Sequence, residues 1–205
     1  MEFIKQFPRW ALWAIGALAL ILAVLVIAWF IRSGRPSLPP GLVEKREEVG
    51  RILAERERLS DVNVKPLVEL EARRDFKGAA ALMDQALGAN ARQEELNASL
   101  ATVSNELAKL AVGVRPDAVG ERAVAAFGAL RRLAEAERRY YQDRRALYEM
   151  TRGYYSDLAT GLKPPIPDRL PELVDAVNAD LEKAKAVHAE FASAVSAFDQ
   201  AAAGR

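Results

Sequence analysis

The chain has no cysteine and a single histidine, His188. Without thiols it can form no disulfide, thiolate-bound metal site or cysteine nucleophile, and one histidine cannot make a multi-histidine metal site. The chain also lacks an excess of positive or negative charge, since its 29 Lys and Arg nearly balance its 28 Asp and Glu and leave a net charge of +1. A basic footprint for nucleic acid is therefore absent. The sequence predicts no metal, no cofactor and no nucleic-acid partner.

The short motifs that mark common catalytic and nucleotide-binding sites are missing as well. The sequence contains no G-x-G-x-x-G, no G-x-x-x-x-G-K-[ST], no G-x-S-x-G and no H-E-x-x-H. No Glu lies three residues before His188, as a di-iron bundle site would need. We therefore expect a protein that is not an enzyme.

One long apolar run is present, from Trp10 to Ile31, and it carries no charged residue. At ~1.5 Å per residue, a helix of this length reaches ~33 Å, and the hydrocarbon core of a bilayer is ~30 Å thick. The run is therefore long enough to span a membrane. Indole rings and flanking basic side chains suit the headgroup level, and the predicted membrane-interface residues are Trp10, Trp13, Trp29, Arg9 and Arg32.

A cleaved secretory signal is the alternative to a retained anchor. Such a signal has an apolar core of about 7 to 15 residues and ends in small residues, whereas this run ends in Trp29, Phe30 and Ile31. We therefore predict a single-pass anchor in the cell membrane. The flanking charges leave the side of the domain open. Because long domains translocate largely regardless of charge, we favour an extracytoplasmic domain.

Heptad spacing of apolar residues organises the rest of the chain. We predict a tail at 1–9, a transmembrane helix at 10–32, a Pro/Gly spacer at 33–41 and a helical bundle domain at 42–203. Helices within the domain are predicted at about 42–59, 66–73, 76–112, 117–160 and 170–202. Long seams joined by short turns favour antiparallel neighbours. The predicted fold is all-α, a single transmembrane helix followed by an elongated antiparallel four-helix bundle.

One turn has a recognisable sequence. The segment 72–87, ARRDFKGAAALMDQAL, is similar to the turn inside a tetratricopeptide hairpin, where an acidic or amide residue, an aromatic and two later alanines recur. It predicts a hairpin turn in which Asp75 caps a helix that begins at Phe76. The order of span, spacer and long helices resembles the layout of the LemA family of anchored bundle proteins.

Polar residues interrupt the apolar seams at one height of the predicted bundle. Antiparallel folding about Arg74, Val114 and Pro164 brings them together near the middle. One interpretation is a register pin, because buried polar groups must find partners and a slip would leave them unsatisfied. The other is a small-ligand or proton-sensing site, because histidine titrates near neutral pH. The candidate polar layer is Arg56, Gln93, Glu137, Tyr140, Arg144 and His188.

A second pattern, in which Tyr and Arg recur every seven residues, runs along the predicted helix at 117–160. Tyr and Arg are enriched where one protein binds another, so exposure of the tyrosines would support a docking surface. Core packing is the alternative, because apolar residues at a, d and e widen the buried stripe of a bundle helix. The candidate partner strip is Arg138, Tyr141, Arg145, Tyr148, Arg152 and Tyr155.

Two functional hypotheses follow. The first is a membrane-anchored bundle that acts through contacts with another protein, as a scaffold, adaptor or assembly subunit. Self-association stays open, and Ala19 and Ala23 form a small-x-x-x-small pair within the span. The alternative is a sensory or small-ligand-binding bundle that uses the polar layer. This alternative would be favoured by a roomy cavity lined by Arg56, Glu137, Arg144 and His188.

Overall fold

Five α-helices make up the part of the chain that the computed structural model describes, residues 37–59 and 62–204. No strand occurs in those residues, and a lone β-bridge joins Ser37 to Arg115. The all-helical prediction is therefore confirmed, and the predicted helix ends agree to within about two residues, the scatter expected of any assignment. The helices are α1 (Leu42–Arg58), α2 (Pro66–Ala72), α3 (Phe76–Ala111), α4 (Asp117–Ala159) and α5 (Leu170–Ala202).

The predicted tail and transmembrane helix lie outside the described residues. Within 37–59 and 62–204, none of the helices has both the length and the apolar character that crossing a bilayer requires. The membrane anchor is therefore a prediction from the sequence, and the same holds for its interface residues Trp10, Trp13, Trp29, Arg9 and Arg32.

Local chemistry sets the helix ends. Gly41, with φ +83°, precedes α1 in the left-handed region that favours glycine. Pro66 opens α2, where a missing amide hydrogen costs nothing. Asp75 caps α3 as predicted, because its Oδ1 accepts a hydrogen bond from the backbone N–H of Gly78 at 2.9 Å. A Cβ at position 78 would lie 2.5 Å from the other oxygen of Asp75 and would displace the cap.

Helix α4 is the centre of the bundle. Helices α3 and α5 both pack along α4, while α1 and α2 pack on α3. Side chains of α3 donate hydrogen bonds to backbone carbonyls of α4, Asn97 to Ala134 at 2.8 Å and Asn90 to Tyr141 at 3.0 Å. Residue numbers therefore fall along α3 as they rise along α4, so the two helices are antiparallel.

Helix α1 covers only one half of the bundle. Its 17 residues span ~26 Å, against ~65 Å for the 43 residues of α4. Ion pairs of Lys45 with Glu106 and of Arg92 with Glu55 set α1 antiparallel to the C-terminal part of α3. Helix α2 has seven residues, and its backbone approaches that of α3 alone. In the described part of the chain, a long fourth helix therefore lies beside α3 only where α1 packs on it.

The hydrophobic core is concentrated in the half that α1 covers. Phe198 of α5 is completely buried, and its ring meets Phe127 of α4 edge-on with centroids 5.7 Å apart. Leu42, at the start of α1, is completely buried in the same cluster. Along α5 only Ala184 and Phe198 are buried, and the rest of its seam is half-buried or exposed. Helix α5 is thus held mainly at its C-terminal end.

The end of the spacer is fixed to the bundle. The backbones of Ser37 and Arg115 exchange two hydrogen bonds, of 2.9 and 3.1 Å. Pro39 packs against Gly113, where a Cβ would lie 2.9 Å from the proline ring. The chain therefore joins the bundle beside the α3–α4 turn, at the end that holds most of the core.

Candidate functional site: a polar layer between four helices

A cavity of about 330 Å³ lies between α1, α3, α4 and α5. Its lining includes Tyr141, Leu181, Ala184 and Lys185. Helix register alone thus gathers side chains from four helices around one space. The six residues of the predicted polar layer all line this cavity: Arg56, Gln93, Glu137, Tyr140, Arg144 and His188.

An ion pair between α1 and α4 forms one wall of the cavity. Arg56 donates two hydrogen bonds to the carboxylate of Glu137, at 2.7 and 2.6 Å, and a third to the hydroxyl of Tyr141 at 3.0 Å. Burial by itself would lower the pKa of Arg56, but the hydrogen bonds and charge of Glu137 outweigh it and raise this pKa. Burial also raises the pKa of Tyr141. Arg56 and Glu137 are therefore held as a charged pair.

Arg144 is the most deeply buried cation of the layer, only 5% exposed. Its Nε donates to Asn90 Oδ1 at 2.7 Å, and its Nη1 donates to the Tyr140 hydroxyl at 3.1 Å. The guanidinium also lies over the rings of Tyr140, Tyr141 and Tyr148, with its carbon 4.9, 5.2 and 5.9 Å from their centroids. Aromatic faces attract a cation, so the three rings help to stabilise the Arg144 guanidinium inside the bundle.

The other two members of the layer differ in burial. Gln93 is buried, and its Nε2 donates to the carbonyl of Leu59 at 3.3 Å, just beyond the end of α1. His188 is exposed at the edge of the cavity. Arg56, Glu137 and Arg144 therefore have the contacts of a register pin, while His188 is placed to meet a molecule that enters from solvent.

Sequence reasoning missed a second polar row on α3. Asn90, Asn97 and Ser104 are all buried, with 0%, 3% and 0% of their surface exposed. Asn90 and Asn97 face α4, and Asn90 also accepts a hydrogen bond from Arg144. Their spacing was the available signal, because Met83, Asn90, Asn97, Ser104 and Ala111 recur every seven residues.

The tyrosines of the predicted partner strip do not form an exposed docking surface. Tyr141 and Tyr155 are 4% and 5% exposed, and Tyr148 is half-buried. The ring of Tyr155 stacks on Phe76 of α3 with centroids 6.4 Å apart. These tyrosines widen the buried stripe of α4, as the core-packing alternative expects.

The arginines of the strip have different surroundings. Arg145 pairs with Glu94, and Arg152 pairs with Asp84 at 2.5 Å, so both join α4 to α3. Arg138 is exposed and has no ion pair in the described part of the chain. Of the six strip residues, Arg138 is therefore the one that keeps a free charge on the surface.

The carboxyl groups of Asp143 and Asp180 meet between α4 and α5. Burial raises the pKa of Asp143 above its ordinary value of 3.8, and the hydrogen-bonded carboxyl of Asp180 raises this pKa further. Asp143→Asn is therefore expected to raise the free energy of unfolding at pH 7, by less than about 1 kcal/mol. Because the native state holds the proton more tightly, the Asp143 side chain stabilises the fold below pH 3.8 and loses that contribution as the pH rises through the raised pKa.

The gain from Asp143→Asn is thus full at pH 7 and absent below pH 3.8. Urea unfolding at pH 7 and pH 3.5 measures it. Glu149→Gln, exposed on the same helix, is the control and should show no gain at either pH. Equal gains for Asp143→Asn at both pH values would contradict the paired carboxyls.

Neither similarity to known proteins nor a metal-binding cluster of side chains indicates the function. Comparison of the chain with protein-family models, with curated proteins and with solved structures finds no match. Among the described residues, no group of three or more His, Cys, Asp or Glu side chains could hold a metal ion. The features that bear on function are therefore the geometry of the cavity and that of the helix faces.

Proposed function

We propose that the chain is a sensory or small-ligand-binding helical bundle that binds a small anionic molecule in its central cavity. The observation that carries this proposal is the cavity of about 330 Å³ lined by Arg56, Glu137, Arg144 and His188. Ligand sites are concave spaces of about 300–1,000 Å³ that combine apolar walls with a few placed polar groups. The central cavity lies at the small end of that range, which suits a ligand of modest size.

The charges around the cavity favour an anion. Three cationic side chains, those of Arg56, Arg144 and Lys185, line it against one carboxylate, that of Glu137. Glu137 already neutralises Arg56 through two hydrogen bonds. The lining therefore carries more positive than negative charge, which gives a positive field at the opening, where Lys185 also pairs with the exposed Glu182 at 2.7 Å. A carboxylate or a phosphate suits this field, because each accepts charge-assisted hydrogen bonds.

A bound anion would tie α5 to the rest of the bundle. The backbone of α5 approaches α4 and no other described helix. Lys185 and His188 of α5 line the cavity together with Arg56 of α1 and Gln93 of α3. An anion between them would add contacts that α5 otherwise lacks, so occupancy would favour the docked state of α5. That dependence is the sensory element of the proposal.

The remaining parts of the proposal derive from the sequence. They are a single-pass membrane anchor at 10–32, a short tail at 1–9 and an elongated antiparallel four-helix bundle at 42–203, favoured on the extracytoplasmic side. What supports this layout is the junction of Ser37 with Arg115, at one end of the bundle. An anchor before Ser37 would put that end next to the bilayer and the cavity some distance above it.

Binding is tested on the purified full-length chain in detergent micelles by isothermal titration calorimetry. The probes are inorganic pyrophosphate and citrate, with uncharged glucose for comparison. We expect both anions to bind and Lys185→Glu to weaken binding at least about tenfold, because it reverses a charge in the cavity lining. Lys183→Glu is the matched control, because Lys183 is exposed on the same helix and does not line the cavity.

The control should bind each anion within about threefold of the wild type. Equal weakening by the two variants would point to general surface attraction and contradict a built site. Absence of binding by both anions, or binding of glucose as tight as that of the anions, would also overturn the proposal.

A bundle that acts through protein contacts, as a scaffold, adaptor or assembly subunit, is the second candidate function. A groove of about 370 Å³ on α3 and α4 favours it. We call this space the outer groove, because no residue of α1, α2 or α5 lines it. Arg131 and Arg138 border it, and both are exposed without an ion pair among the described residues. Arginine over an apolar floor is typical of a docking surface.

A further inference from the structure

The outer groove combines a small-residue floor with two free charges. Ala98, Ala101 and Ala134 line it, so another helix could approach closely. Arg131 and Arg138 lie seven residues apart on α4, which places them on one face about two turns from each other. The groove is also lined by two glutamates that are already paired, Glu94 with Arg145 and Glu135 with Arg139 at 3.7 Å. The groove therefore presents two positive charges at a fixed spacing.

A buried polar atom in the groove wall lacks a partner. Asn97 is 3% exposed, and its Nδ2 donates to the carbonyl of Ala134 at 2.8 Å. Its Oδ1 is buried and accepts no hydrogen bond from any residue in 37–59 and 62–204. Because a buried acceptor without a donor is costly, a shift of the groove wall that brings this oxygen to a donor of the occupant would be favourable.

The outward face of α5 has the complementary pattern. Asp175 and Glu182 are both exposed and lie seven residues apart, the spacing of the two arginines, and Glu182 also makes an exposed ion pair with Lys185 of its own helix at 2.7 Å. Asn178 is exposed between them and carries amide donors. The face lies opposite the side of α5 that packs on α4, because Ala184 is buried there. It continues at intervals of four and three with exposed small residues, Ala179, Ala186, Ala189 and Ser193.

We propose that the outer groove binds α5 of a second copy of this chain. The partner's Asp175 and Glu182 would pair with Arg131 and Arg138, and the partner's Ala179 would lie over the alanine floor. Self-association rests on the protein-contact function proposed above, and none of these residues lines the central cavity. Charge, spacing and side-chain size all agree on this occupant.

The test measures self-association of the full-length chain in detergent micelles by analytical ultracentrifugation. Arg131→Glu with Arg138→Glu should raise the dissociation constant at least about tenfold, because like charges would then face each other. The matched control is Arg51→Glu with Arg58→Glu, exposed arginines at the same spacing on α1. The control should stay within about threefold of the wild type.

Charge exchange gives the sharper test. Asp175→Lys with Glu182→Lys should weaken association as the arginine reversals do. A chain that carries all four reversals should regain the wild-type dissociation constant to within about threefold, because the pairs are restored with opposite signs. Failure of this rescue would overturn the proposal, and so would arginine reversals that leave the dissociation constant unchanged.

A disulfide reports which faces meet. The chain has no cysteine, and α3 and α5 do not approach each other within one chain. Ala98→Cys with Ala179→Cys should therefore give a covalent dimer on oxidation, and either cysteine alone should not. No dimer from the pair, or as much dimer from one cysteine alone, would contradict docking of α5 in the groove.

Failure of self-association can be told apart from failure of the protein-contact function. Crosslinking in intact membranes captures whatever protein contacts the chain. A monomeric wild type that loses a crosslinked foreign protein on Arg131→Glu with Arg138→Glu overturns the second copy as occupant alone. A monomeric wild type whose crosslinks do not change with these substitutions overturns the outer groove as a docking surface altogether.

Discussion

Glu137→Ala is expected to lower the free energy of unfolding by about 3 kcal/mol, because it leaves a buried guanidinium without its counter-charge. The side chains of Arg56 and Glu137 are 14% and 10% exposed, and two hydrogen bonds of 2.7 and 2.6 Å join them. The Tyr141 hydroxyl stays within reach of Arg56 but carries no charge to balance it. Urea unfolding followed by circular dichroism measures the loss.

Two further variants show whether the loss comes from an unpaired buried charge. Glu190→Ala breaks the exposed pair of Arg132 with Glu190 and should cost less than about 1 kcal/mol. Arg56→Met with Glu137→Leu replaces the pair by apolar side chains and should recover most of the stability. A Glu137→Ala cost no larger than that of Glu190→Ala would mean that the pair does not pin the register.

Phe198→Ala is expected to lower the free energy of unfolding by about 4 kcal/mol, within the range for a fully buried aromatic side chain. Phe198 is completely buried, packs edge-on against Phe127 and lies 5.2 Å from the guanidinium carbon of Arg46. It therefore joins α5 to both α4 and α1. Urea unfolding measures the loss, and limited proteolysis should find α5 cut faster than the other helices.

Phe191→Ala is the matched control, because Phe191 is half-buried on the same helix. It should cost about half as much as Phe198→Ala, since less apolar surface leaves the core. Equal losses for the two variants would show that the attachment of α5 is spread evenly along its seam and not concentrated at its C-terminal end.

The helices could be predicted closely because their seams are long. Apolar residues at three and four spacing over ten turns leave little freedom, and Gly113, Pro116 and Asp75 mark where helices stop and start. The level of Arg56 and Glu137 could be predicted too, because short turns fix the register of antiparallel neighbours. The position of a residue along the bundle axis can thus be predicted from the sequence.

Rotation about the helix axes could not be predicted in the same way. Asn90 and Tyr141 lie one position beyond the seams, so whether they face a neighbour or solvent depends on how widely α3 and α4 bury their stripes. The stacking of Arg144 on three tyrosines follows from that rotation. For the same reason, Tyr155 was a candidate for a docking strip although it packs inside.

How far α1 and α2 extend along the bundle also could not be predicted from the sequence. Pro66 predicts a break before α2, but not that the seven residues of α2 approach α3 alone. Among the described helices, the backbone of α5 therefore approaches that of α4 only. The central cavity is lined by Arg56, two residues before α1 ends at Arg58, so the site lies beside the break that the sequence predicts.

Hydrogen–deuterium exchange of the full-length chain in micelles, with and without saturating inorganic pyrophosphate at equal ionic strength, tests the central claim most directly. An anion held between α5 and the other helices should slow exchange at least about tenfold at 181–188 and 53–58 and leave 98–105 in the outer groove unchanged. Unchanged exchange at 181–188 and 53–58, or equal slowing at 98–105, would contradict a ligand site at the polar layer.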